Sequence, residues 1–333
     1  MRKRTLIYDV AAETTGAASI LEMYYNRFVA DEKTETYIVT SVLDYNELEH
    51  VHIIRLPWVK KSWLHRIYCD LIYVRRLIKE YHINSVINLQ NVAIPFVHVP
   101  QTVYLHNAIP LTDYKFSIKN EYILWFYKNV IGKLIMHNLK YANCIIVQAE
   151  WIKELLIKYG FLPSIINVER VESTFVTDSE TRIDTEQAIF FYPASSMSYK
   201  NHSVVLKACS MLKEKGIRDY RVVFTLNPNV DKNAMKIKEL STQLGLPTDF
   251  VGTLNHDQMS KMYRQTILLF PSLLETVGLP LIEAKQFNSR IIVADLPYAK
   301  EAIGKYNRVT WFSPDDPSEL YMILRQVIEK RCD

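Results

Sequence analysis

Glycine is scarce in this chain: 8 residues in 333, where average usage of about 7% would give roughly 23. A phosphate loop built from several glycines is therefore excluded, and each glycine that remains carries more information. The four cysteines, Cys69, Cys144, Cys209 and Cys332, stand far apart and form no C-x-x-C pair. They indicate neither a zinc site nor a disulfide framework and fit a reducing cytosol. No run approaches the 18 or so apolar residues of a membrane span. Met1-Arg-Lys-Arg imitates the start of a secretory signal, but Asp9 and Glu13 cut the apolar run that follows. A formal net charge of +4 is too small to argue for a nucleic-acid partner. What remains, 49% apolar and 23% charged residues, is ordinary for a soluble globular protein. At 333 residues, two domains of roughly 150 residues each are the natural expectation.

The most informative stretch is ILLFPSLLETVGLPLIEAKQFNSRIIVA, residues 267–294. Its first four residues form a short apolar run of buried-strand type, which Pro271 and Ser272 end. Pro280 suits the first turn of a helix, expected over about 281–287, and Asn288 suits its left-handed end. Residues 290–294 then read as a second strand. This strand, loop, helix, strand order puts Glu275 in the loop and Glu283 in the first helical turn. Both then face the crevice at the strand's carboxyl end, where open α/β sheets bind ligands. Backbone N–H groups around Gly278 and Leu279 would receive an anion such as a diphosphate. Two carboxylates repel bare phosphate, yet each can accept two hydrogen bonds from a vicinal diol, and a nucleotide-sugar has one on its hexose and one on its ribose. The alternative for Glu283 is a carboxylate that only favours its helix dipole.

Glu275 and Glu283, with Pro271-Ser272, Gly278-Leu279-Pro280 and Ala284 in register, resemble the Glu-x7-Glu signature of the retaining family-four glycosyltransferases. The resemblance implies an α/β protein of the GT-B fold, two Rossmann-like parallel-sheet domains facing across a cleft. The N-terminal, acceptor-side domain is expected over 1–172 and the nucleotide-sugar domain over 187–314. A terminal helix, 315–333, is expected to pack back on the first domain. Residues 172–187, polar, acidic and aperiodic, read as the linker.

The same resemblance assigns roles along the chain. In YPASSMSYKNH, Lys200 matches the lysine of a basic pair that grips the donor diphosphate, while Ser195 stands in the arginine's register, so one charge contact is missing. Gly252, Thr253 and Leu254 match a turn that borders the nucleotide base. Glu275 is implied to orient the sugar, with Thr276, Gly278 and Leu279 beside the diphosphate and Glu283 on the ribose. His106, just past an expected buried strand at 102–105, matches a histidine that approaches the sugar. Gly16, in AAETTGAA, is the one glycine left where the family has a glycine-rich turn. An ordinary strand-to-helix turn is the other reading there.

Residues 56–81 have apolar positions at helical spacing between basic ones. From 55 to 80 there are seven Lys or Arg against Asp70 and Glu80, with Trp58 and Trp63 at the start. Trp58, Lys60, Lys61, Trp63, Arg66, Arg75 and Arg76 suit an anionic membrane surface. A core-packed amphipathic helix with a solvated outer face is the competing reading. Residues 114–141, aromatic and interleaved with lysines, present the same choice.

The expectation is a cytoplasmic enzyme, peripheral at the plasma membrane's inner face. It moves a hexose from a nucleotide-sugar to a glycan or lipid-linked glycan in bacterial capsule, O-antigen or exopolysaccharide synthesis. Neither a metal nor another cofactor is implied. A GT-B sugar-nucleotide epimerase and a catalytically silent homologue that binds a partner transferase are the alternatives.

Overall fold

The computed structural model describes residues 2–13, 15–173, 175 and 187–330. The chain divides into two compact units, 1–170 and 171–333. Most of the expected linker, and Cys332, lie outside the described residues.

Unit 1 is a seven-stranded parallel sheet of β1 (Lys3–Asp9), β2 (Thr34–Thr40), β3 (Val51–Arg55), β4 (Ser85–Asn88), β5 (Gln101–Leu105), β6 (Cys144–Val147) and β7 (Ile166–Val168). Its spatial order is β3-β2-β1-β4-β5-β6-β7. Unit 2 repeats the plan with β8 (Ala188–Tyr192), β9 (Tyr220–Phe224), β10 (Thr248–Phe250), β11 (Ile267–Phe270), β12 (Ile291–Ala294) and β13 (Val309–Phe312). There the order is β10-β9-β8-β11-β12-β13. Both are doubly wound Rossmann-like sheets, and the winding direction reverses between β1 and β4 and between β8 and β11. β11 and β12 are buried along their whole length, as continuous apolar runs in covered parallel strands must be. The strand at Val309–Phe312 was not anticipated from the sequence.

Helices cover both sheets, and their bounds correct several expectations. The helix at Thr15–Val29 begins earlier than expected and takes in Gly16, which sits in its first turn with open space around it. The expected helix over 56–81 opens as a 3-10 turn, Pro57–Lys61, and then runs from Trp63 to Glu80 with a π-helical segment at Cys69–Tyr73. The aromatic stretch is helical over Tyr122–Asn138, with its own π segment at Tyr127–Ile131. Gly132, next to that segment, lets the helix pass close to Pro110, since an added Cβ would lie 3.2 Å from Pro110 Cα. The terminal helix Pro317–Glu329 is capped by Asp316, which accepts from the N–H groups of Ser318 and Glu319 at 2.8 and 3.1 Å. It packs along the helix His202–Glu214.

With so little glycine, several left-handed positions fall to asparagine: Asn91, Asn201 and Asn288 have φ of 65°, 56° and 53°. Asparagine tolerates this region better than most L-residues. Cys69, Cys144 and Cys209 are free thiols. Among the described residues no helix is long and apolar enough to cross a membrane.

Asp9 ends β1 at the first reversal point. Its Oδ1 accepts from the N–H groups of Ala11 and Ala12 at 3.1 and 3.0 Å, which shapes the turn. Burial pushes its carboxyl up to about 6, and those two N–H groups, Arg66 and Lys60 oppose the shift only in part. The folded chain therefore holds a proton that the unfolded chain gives up near 3.8, and the stabilisation from Asp9 is full at low pH and lost as pH rises through 6. The stability of the wild type minus that of Asp9→Asn should fall by up to about 3 kcal/mol between pH 4 and 7. Urea denaturation of the two proteins across that range measures it, and a flat difference would refute the assignment.

Candidate active site

Because each sheet is parallel throughout, all its strands end on one edge, and in unit 2 that edge gathers most of the sequence-predicted residues. Ser195 and Lys200 follow β8, Gly252 to Leu254 follow β10, and Glu275 to Leu279 follow β11. Lys200 ends a 3-10 turn, Ser198–Lys200. The buried Tyr192 at the end of β8 donates its hydroxyl to the Lys200 carbonyl at 2.6 Å. The Leu273 N–H donates to the Tyr199 carbonyl at 2.7 Å, which ties this turn to the loop after β11. So held, Lys200 Nζ donates to Glu275 Oε1 at 2.5 Å, and both side chains are only 15% exposed. Lys200 also lies 5.4 Å from the Tyr199 ring centre.

The helix after this loop, Leu279–Gln286, begins at Gly278 with φ 76° and no side-chain cap. Its first-turn N–H groups thus have no side-chain acceptor of the usual capping kind. Gly278 is held to glycine twice over, by its φ and because an added Cβ would lie 3.2 Å from both Leu281 Cδ1 and Tyr298 Cδ2. Tyr298 donates its hydroxyl to the Ser272 carbonyl at 2.6 Å and so braces the start of the loop. The earlier start of the helix moves Glu283 to the second turn, a correction to its expected place. There Glu283 Oε2 accepts from the Tyr263 hydroxyl at 2.5 Å. Burial raises its carboxyl, and the Tyr263 bond and His256 oppose that. Tyr263, on the preceding helix His256–Gln265, went unnoticed in the sequence because nothing local pairs it with a residue 20 positions on.

Gly252, with φ 72°, donates its N–H to the Leu226 carbonyl at 3.1 Å, which borders the β10 loop on the one after β9. Thr253 and Ser195 are exposed, and Thr276 is half-buried. Ser196, beside Ser195, donates to Asp231, the cap of the helix Lys232–Gln243. Behind Lys200, His202 is buried against Tyr192, and burial together with Lys200 lowers its imidazole to about 3.

In unit 1, His106 emerges at the carboxyl end of β5, half-buried. Asn91, in its left-handed conformation after β4, accepts from the N–H groups of His106 and Asn107 at 2.8 and 3.1 Å. Its amide nitrogen lies 3.4 Å from His106 Nε2. Burial lowers the imidazole to about 4. A neutral ring at the end of a parallel strand can exchange hydrogen bonds with a hydroxyl without placing a positive charge there. Asn91 went unremarked in the sequence, where INLQN reads only as the end of a strand.

Residues 175–332 match the family model described as Glycosyl transferases group 1. Solved structures similar to the whole chain include sucrose-phosphate synthase (tll1590) from Thermosynechococcus elongatus, with a TM-score of 0.72, 14% identity, and 100% of this chain and 91% of that one covered. WaaG, a glycosyltransferase involved in lipopolysaccharide biosynthesis, gives a TM-score of 0.69, 15% identity and coverage of 98% and 90%. Anabaena Alr3699/HepE in complex with UDP and glucose gives 0.66, 13%, and 99% and 90%. At these identities the likeness shows the fold alone. No curated protein sequence matches the chain. The chain has the GT-B fold, and its second unit matches the glycosyl transferase group 1 family.

The residues expected on a membrane face divide: Trp58, Arg66 and Arg75 are half-buried, whereas Lys60, Lys61, Trp63 and Arg76 are exposed. Trp58 packs against the unit 1 core. Lys60 pairs with Glu13 at 2.5 Å and donates to the Ala11 carbonyl at 3.2 Å. Arg66 donates to Asp70 at 2.6 Å and also bonds Gln90. Arg75 and Arg76 border a separate groove at the far end of the helix. The outer surface near Trp63 is apolar instead, carrying Leu64, Ile67 and Ile72. Helical periodicity shows that faces alternate, but only the folded chain shows which face looks inward.

Two outcomes test this geometry. Gly278→Ala should cost about 1–3 kcal/mol of stability from its left-handed backbone and crowded Cβ, read by urea denaturation. His106 should show no titration near 6.5 in an NMR pH series and should begin to protonate only toward pH 4, with His106→Gln identifying its signal. An ordinary histidine titration would place the ring in solvent.

Proposed function

We propose that the chain is a glycosyltransferase that moves a hexose from a nucleotide-sugar to a hydroxyl of a glycan or lipid-linked glycan, with retention of configuration at the anomeric carbon. The buried Lys200–Glu275 pair carries the reading. Each charge satisfies the other. A nucleotide-sugar offers each a better partner, its diphosphate to Lys200 and its sugar hydroxyls to Glu275. Breaking the bond to the anomeric carbon leaves positive charge on the ring and negative charge on the departing diphosphate. Lys200 and the uncapped helix start at Gly278 stabilise that diphosphate, in a site shielded enough for such contacts to count. The transferase needs no metal for this step in the proposed scheme. Glu275 orients the ring, and the Tyr263-braced Glu283 takes the ribose diol.

His106 serves the acceptor side. Being neutral, it can contact acceptor hydroxyls without adding a positive charge. No side chain is assigned as the base, and the leaving-group oxygen takes the acceptor proton. The lipopolysaccharide role in WaaG's description and the UDP and glucose in the HepE complex support a bacterial surface glycan and a UDP-sugar as the first donor to try. A cytoplasmic, membrane-peripheral location fits that setting.

Incubation with a panel of nucleotide-sugars tests the class, with slow donor hydrolysis expected. Epimerisation, or no turnover at all, would overturn it. On the active donor, Lys200→Ala should lose about 2–4 kcal/mol of transition-state stabilisation in kcat/KM. Glu275→Gln should abolish transfer with nucleotide affinity kept within about threefold. Unchanged turnover in both variants would move the donor elsewhere.

A further inference from the structure

Unit 1 contains a cavity of about 420 Å³ at the carboxyl ends of β1 and β4, the reversal point of its sheet. This is within the range of small-ligand sites, and in doubly wound sheets ligands bind at this place. Its walls come from the two helices with π segments. Trp63, Ile67 and Leu71 stand on one side, Ile131 and Leu134 on the other, and Ile94 closes the inner end. A π segment adds a residue to a turn and re-aims the side chains beside it, and such segments recur at functional sites. Here both flank one cavity.

The lining has two zones. Trp63, Ile67 and Leu134 are 70%, 50% and 53% exposed while lining the cavity, so its apolar wall continues to the outer surface. Side chains of this kind ordinarily turn away from water, and a group that covers them gains roughly 25 cal/mol for each Å² removed from it. The inner zone is polar. Tyr8 donates to Asp70 at 2.6 Å, Asp70 accepts from Arg66 at 2.6 Å, and Arg66 bonds Gln90, so the charges there are already paired. Two amide nitrogens in the lining, Asn88 Nδ2 and Gln90 Nε2, are buried with no hydrogen-bond acceptor among the described residues. A buried donor without a partner costs about 1–3 kcal/mol, which an oxygen on a ligand would recover. Asn91, also in the lining, is the residue that fixes His106.

We propose that this cavity takes an aliphatic aglycone of the acceptor, its first oxygens meeting Asn88 and Gln90 and its chain leaving along Trp63, Ile67 and Leu134. The lining surface is mostly apolar, with Ile67, Leu71, Ile94, Ile131, Leu134 and Ile135 in its walls, and its exposed end suits a chain that continues outward better than a compact ring. The inference rests on the transferase reading for the word acceptor and on the cavity alone for the aliphatic chain. It places the polar part of the acceptor next to Asn91, and so next to the histidine that Asn91 holds.

Calorimetry of the full chain with methyl, butyl, octyl and phenyl β-glucosides, each below its micelle concentration, tests it. Each buried methylene is worth about 0.8 kcal/mol, so octyl should bind on the order of a hundredfold tighter than butyl. Ile67→Glu and Leu134→Glu change half-exposed positions in the wall and should weaken octyl binding at least tenfold, leaving nucleotide affinity and donor hydrolysis unchanged. Equal binding of butyl and octyl, phenyl binding as tightly as octyl, or octyl binding untouched by both variants would each overturn the assignment. Donor hydrolysis on the same preparation keeps the two readings apart. Hydrolysis without chain-length dependence refutes the cavity alone. Chain-length dependence without hydrolysis of any donor refutes the transferase scheme and leaves an aliphatic-ligand site.

Discussion

The ion pair between Lys200 and Glu275 is the contact on which the candidate donor site depends. Neither residue could be so deeply placed alone, because a single buried charge costs far more than a pair. Its geometry is enforced from both sides. Tyr192 anchors the Lys200 carbonyl, Leu273 bonds the Tyr199 carbonyl, and Tyr298 holds the Ser272 carbonyl. All three bonds use backbone carbonyls, so they fix where the two loops run and leave both charged side chains able to change partner. A site built this way can exchange one set of ionic contacts for another without refolding its loops.

Burial at the strand ends has a second effect, on charge state. Asp9 and Glu283 are shifted toward the neutral acid, and His106 and His202 toward the neutral base. The sheet edges therefore contain several polar groups that contribute hydrogen bonds and little net charge. Against that background the charges that remain paired, Lys200 with Glu275 in unit 2 and Arg66 with Asp70 in unit 1, dominate their surroundings.

Much of this could be read from the residues. Strands such as Ile267–Phe270 and Gln101–Leu105 are short apolar runs ended by a proline or a polar residue, and that pattern is local. The placement of Glu275, Lys200 and His106 at the carboxyl edges of the sheets was legible because each lies in the segment that follows such a run. The partners were not legible. Tyr263 meets Glu283, and Asn91 meets His106, only after helices and strands far apart in sequence are packed. Gly16 was misplaced because a glycine after a strand reads as a turn, whereas here the helix has already begun. For the basic helix, periodicity gives two faces and leaves both readings open; the pairing of Lys60 with Glu13 is tertiary, whereas that of Arg66 with Asp70 lies within one helical turn.

The three asparagines that stand in for glycine at left-handed positions have a consequence for how mutable the chain is. A glycine there would supply the conformation and nothing more. Each asparagine also spends its amide on a separate segment: Asn91 on His106, Asn201 on the Pro314 carbonyl and Asn288 on the Tyr306 hydroxyl. Backbone shape and long-range attachment are thus encoded by one side chain at each position. Replacement by glycine keeps the first and deletes the second, while replacement by most other residues strains the first. In this sequence the shortage of glycine narrows the set of neighbours by which drift can proceed, and at two of the three positions, Asn91 and Asn201, it does so in turns that follow the carboxyl ends of strands.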